Sequence, residues 1–153
     1  LKIGADKKKE FDEVYDYIKY EIMKYDKEMK LPNNFVFRLY GLACGKFSYR
    51  APKDSSFDDM PIIYPFPIIL ATVIKCKSKL LFCMQTVKFA DENHKINTIF
   101  KILEENINDV KLAYDRKMRE KQKIDSVDAE YMVREVQEYN KKSELKDKFK
   151  ELL

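Results

Sequence analysis

An all-α fold is the class this sequence predicts, and two observations carry it. The 153 residues hold only three glycines and five prolines, whereas an all-β chain needs turn residues about every 8–12 positions. Apolar side chains also recur at intervals of three and four along much of the chain, the spacing of amphipathic helices. The expected architecture is a compact helical domain of about six helices, with one long irregular loop over residues 46–67 and a projecting C-terminal helix. Residues 1–123 are expected to form the helical core domain, and residues 124–153 a C-terminal amphipathic helical extension.

The first helix is expected from Asp6 to Lys30, because Phe11, Tyr15, Ile18, Ile22, Tyr25 and Met29 share one stripe that Val14 widens. Asp6 is its candidate cap, although Lys7, Lys8 and Lys9 oppose the helix dipole there. Pro32 disfavours α geometry at Leu31 and ends the element. Either Asn33 or Asn34 then caps a helix from Phe35 to Ala43, with a strand over Phe35–Tyr40 as the alternative. That segment is apolar nearly all round and suits burial, and Gly45 supplies a left-handed residue after it.

Residues 46–67 hold four of the five prolines, and irregular stretches beyond about 12–15 residues are often functional. Phe47, Tyr49, Arg50 and Lys53 interleave aromatic rings with positive charge at its start. Pro67 fits the first turn of a helix over Ile68–Lys77. Ser78 caps a short helix over Lys79–Val87. Asp91 or Asn93 caps a long one ending near Lys123, with Ile96, Ile99, Phe100, Leu103, Ile107, Val110, Tyr114 and Met118 as its stripe. Asp125-Ser126 is expected to cap a last helix bearing Tyr131, Val136 and Tyr139. A break at Asn140–Ser143 precedes Leu145, Phe149 and Leu152.

A chain of this length buries about 68–70% of its unfolded surface, so its core needs no disulfide or metal. Three cysteines, an odd number, do not read as a secreted disulfide framework. The Lys- and Asp-rich start lacks the apolar region of a secretory signal. The longest apolar run, broken by Pro65 and Pro67, is shorter than the ~20 residues a membrane span requires. A cytoplasmic protein with no membrane partner is the expectation.

The net charge of +4 is unevenly placed. Residues 31–90 carry eight basic and three acidic side chains, and residues 111–123 carry six and two. Candidate chemistry outside those zones is thin. His94 with Cys44, Cys76 and Cys83 would make a Cys3His zinc set, but 31, 6 and 10 residues intervene, unlike the two-to-four-residue spacing of known structural sites. Core thiols and a helix-terminal histidine are the plainer reading. Gly41 to Lys46 has two glycines and a lysine without Walker spacing. No catalytic residue, metal or cofactor is expected, and the chain is not expected to be an enzyme.

The basic helix end carries the functional expectation. Arg116, Lys117, Arg119, Lys121 and Lys123 could neutralise phosphates, a contact that dominates sequence-independent affinity. Tyr49 and Arg50 could add base stacking. An acidic protein partner or an ordinary solvated surface would use the same residues, and the first or last helix could pair with a second copy.

The segment from Pro67-Ile68-Ile69-Leu70 to Asp109-Val110 orders an apolar helix, a short helix, then one with Ile99, Ile102-Leu103 and Asn106-Ile107. It resembles the C-terminal helical domain of DnaD-type replication initiation proteins of low-GC Gram-positive bacteria and their phages. The family's signature is Tyr-x-x-x-Ile-x-x-x-Trp; here Ile102 matches, while Thr98 and Asn106 replace the aromatic residues. The resemblance implies a non-enzymatic DNA-binding or replication accessory protein of a phage, plasmid or other mobile element, with the basic segment at Lys111–Lys123 following the helices. The rival class is a protein–protein interaction module or phage-encoded inhibitor of a host enzyme, acting through an exposed apolar patch such as Phe57–Phe66.

Overall fold

A computed structural model of the chain describes residues 3–47 and 60–152. Among these residues it is all-α: α1 (Ala5–Tyr17) continues into a wider turn over Ile18–Ile22, followed by α2 (Asn33–Ala43), α3 (Phe66–Lys75), α4 (Lys77–Thr86) and α5 (Glu92–Leu152). Two compact units divide the chain, Leu1–Leu112 and Ala113–Leu153.

In the first unit the core gathers one face of each helix. Val14, Phe35, Ile69, Val73, Phe100, Leu103 and Ile107 are fully enclosed. Phe11 stacks on Tyr40 at 5.0 Å and meets Phe66 edge-on at 5.4 Å, which ties α1, α2 and the start of α3 together. Phe35 and Phe100 pack at 4.9 Å between α2 and α5. Such ring pairs contribute about 0.5–1.5 kcal/mol beyond the area they bury.

The first helix is shorter than its apolar stripe suggests, and backbone bonding shows why. The Met23 N–H donates to the Ile18 carbonyl, a bond five residues back, and Tyr25 N–H reaches Lys19. This widened turn puts Lys24 at φ 56° and ends the helix. The chain then doubles back, so that Leu31 is buried with its N–H on the Tyr15 hydroxyl. Lys19 holds the return with its ammonium on the Lys27 carbonyl at 3.0 Å. Met29, expected on the buried stripe, is exposed as a result.

At the end of α2 the bonds from Gly45 N–H to Leu42 and from Lys46 N–H to Gly41 form a Schellman cap. Gly45 takes the left-handed conformation expected of it, φ +69°. The Ala43 carbonyl accepts from both Ile63 and Tyr64, fixing the chain that leads into α3. The Phe35–Tyr40 strand is replaced by helix, because the segment is covered on several sides and no strand is present among the described residues to pair with it.

The second expectation to be corrected concerns the C-terminal end. No new helix begins at Asp125-Ser126 and no break occurs at Asn140–Ser143: both lie inside α5, which runs 61 residues. These residues favour caps, yet inside a helix each costs only about 0.7 kcal/mol or less, and no glycine or proline interrupts the stretch. The cap at its start is Asp91, whose carboxylate accepts from His94 N–H at 2.7 Å; His94 Nδ1 in turn accepts from Ala90 N–H. The return bond reaches the residue before the cap rather than Asp91 itself, so His94 ties the incoming chain to the first turn beside an ordinary aspartate N-cap.

Candidate functional site

Five of the expected basic residues, Arg116, Lys117, Arg119, Lys121 and Lys123, lie on α5 in the second unit, and each is exposed. Helical geometry divides them. Arg116, Arg119 and Lys123, at intervals of three and four, share one strip; Lys117 and Lys121 share another, about 100–140° around the axis. Glu120 lies between the two strips and Asp115 beside the first. Among the described residues none of the five cations has a carboxylate within ion-pair distance. Arg119 directs its Nε–H to the Asp115 carbonyl at 3.4 Å, a weak local contact.

The remaining members of the expected surface behave differently. Lys111 belongs to the first unit and its ammonium lies 6.0 Å over the Tyr64 ring. Tyr49 and Arg50 lie outside the described residues, as do residues 57–59 of the Phe57–Phe66 patch. Within its described part, Tyr64 and Phe66 are buried core residues.

Apolar exposure is the stronger feature of this unit. Tyr131, Met132, Val133, Val136 and Tyr139 are 56–74% exposed, and Ile124, Val127, Leu145, Phe149 and Leu152 are likewise open. A solvent-facing helix carries isolated apolar residues without consequence, but a dense series marks an interaction surface. Helices in water gain most of their stability from packing such a face. The sequence shows these residues plainly, and the last buried residue of α5 is Ile107.

The chemistry-bearing residues elsewhere have structural work. Cys44 is buried with its Sγ 3.8 Å from Met60 Sδ, and Cys76 is buried at the α3–α4 junction. Burial pushes both thiols up, against the pull of Lys46 on the first and of Lys75 and Lys79 on the second. Raised thiols make poor nucleophiles. Among the described residues no group of three or more His, Cys, Asp or Glu could hold a metal. A cleft bounded by Lys7, Glu10, Ile62, Pro65 and Phe66 encloses about 40 Å³, far below the ~300 Å³ at which small-molecule sites begin. No helix among the described residues is long and apolar enough to cross a membrane.

Sequence reading missed a charged group that joins two core helices. Arg38 donates from α2 to Asn97 at 2.7 Å and to Glu104 at 3.3 Å on α5, with its guanidinium over Phe100. A lone cation on an otherwise apolar helix was the available signal.

Comparison with known proteins finds a family model, described as SPbeta prophage protein YorH, that matches residues 2–152. It brings out a prophage family and nothing that shows the DnaD-type resemblance. Neither a curated protein nor a solved structure matches the chain.

Proposed function

The chain belongs to that prophage protein family, and on this premise we propose that it is a phage-encoded, non-enzymatic interaction protein whose α5 docks on a partner through the residues after Leu112. The carrying observation is the series of open apolar side chains from Ile124 to Leu152. A helix face of this kind is read by a groove or by another helix, with anchors three and four residues apart. The contacts belong to the second unit. Cross-linking of the tagged full chain in phage-carrying cells tests this. Lysines of α5 such as Lys141 and Lys146 join a second polypeptide, and Val127→Glu with Tyr131→Glu, two positions on one face, abolishes the links. Links confined to single chains would refute it.

A second reading, nucleic-acid contact in replication, keeps one specific support: five exposed cations within eight positions and no ion pair among them. Their division between two strips, with Glu120 interposed, favours a helix surrounded by charge over a single phosphate-binding strip. Titrating labelled single-stranded and duplex DNA at two salt concentrations decides it. Binding that falls steeply with salt and loses roughly one unit of salt slope per lysine or arginine replaced supports this reading; no binding at low salt removes it.

A further inference from the structure

Six apolar residues of α5 fall into two triplets with mirrored spacing. Ile124, Val127 and Tyr131 are separated by three and then four positions; Leu145, Phe149 and Leu152 by four and then three. At about 100° per residue all six lie within roughly 80° of one another around the helix, and they are 57–83% exposed. Both triplets sit on one continuous helix, where Val127 and Phe149 are ~33 Å apart. Within one copy they cannot cover each other.

We propose that a second copy of this chain covers them, in an antiparallel pairing of the two α5 helices centred on Glu138. A two-fold pairing requires a self-complementary surface, and a mirrored spacing supplies it. Reversing the partner about Glu138 sets Ile124 against the partner's Leu152, Val127 against the partner's Phe149 and Tyr131 against the partner's Leu145.

Charge selects the same direction. Residues 124–138 carry one basic and five acidic side chains, and residues 139–152 carry five basic and three acidic. Antiparallel pairing opposes the acidic half to the basic half twice, whereas parallel pairing in register opposes like to like. On the flanks Asp128 comes beside the partner's Lys146, Glu130 beside the partner's Lys148 and Glu135 beside the partner's Lys142. Between the triplets Glu138 meets the partner's Glu138, with Arg134 one turn away on each helix. Polar layers of this kind fix register at some cost in stability. Arg116 to Lys123 lie outside the paired stretch, so the pairing leaves the basic strips open.

This rests on the reading of α5 as a docking helix and names its partner. Light scattering on the full chain is the first measurement: the mass is twice 18.3 kDa, and Val127→Glu with Phe149→Glu halves it without changing near-ultraviolet dichroism of the first unit. Direction is read by oxidation in a Cys83→Ser background, in which the remaining thiols are buried. Glu138→Cys links two chains readily. Tyr131→Cys links at least about tenfold more slowly, since two copies of that position lie ~20 Å apart, too far for a disulfide. A single-chain mass up to about 100 µM overturns the pairing, as does linking at residue 131 as fast as at residue 138. A single-chain mass together with cross-links from α5 to a different protein overturns the self-pairing and leaves the docking reading standing.

Discussion

Gly45 shows how closely one residue can constrain this fold. Its φ of +69° belongs to the left-handed region, and a Cβ there would meet Ile63 Cγ1 at 2.9 Å. Gly45→Ala therefore lowers stability by about 1–2 kcal/mol, read as a drop in the denaturation midpoint at unchanged slope. Glu21 and Lys77 make the testable ion pair, 3.0 Å between the wide turn after α1 and the start of α4. The Lys77 hydrogen bond, helped by its charge and that of Lys24, holds the Glu21 carboxyl below its ordinary value. The same bond raises the Lys77 ammonium. The pair's contribution through Glu21 is present above the unfolded carboxyl pKa and disappears as pH falls through the folded value. Through Lys77 it is complete below the unfolded ammonium pKa and disappears as pH rises through the folded value. An NMR titration finds Glu21 below the usual carboxylate range, and Lys77→Met returns it there; an unmoved Glu21 contradicts the assignment.

Helices were legible as elements wherever an apolar stripe met a cap or a proline. Pro67 lies in the first turn of α3 as its φ dictates, and Asp91 caps α5. Asp91→Ala costs about 1 kcal/mol by leaving N–H groups of that first turn unmet, measurable as a shift in chemical denaturation. What sequence could not set was where a stripe stops being buried. Met29 continues the spacing of α1, yet the turn at Lys24 leaves it exposed, while Tyr25 still packs against the core and Leu31 returns to place its N–H on the Tyr15 hydroxyl. Asp125-Ser126 and Asn140–Ser143 read as breaks, yet local capping preference is a few tenths of a kcal/mol against the bonds of a continuous helix. On α5 the five cations were legible as a charge block, but their separation into two strips appears only once the helix is continuous through them.

At the scale of the molecule, the first unit closes its own core while the second carries apolar residues that nothing within it covers. The identity of a partner was not legible, because the same stripe that marks a core face also marks an interface. The mirrored triplets about Glu138 distinguish the two once α5 is known to be unbroken. Amide hydrogen exchange on the full chain, followed as protein concentration rises, tests the account most directly. It predicts that amides from residue 124 to 152 gain protection with concentration, while those of Arg116–Lys123 gain little. Rapid exchange across residues 124–152 at every concentration and with every cross-linked partner, or protection confined to Arg116–Lys123 on adding DNA, would contradict it.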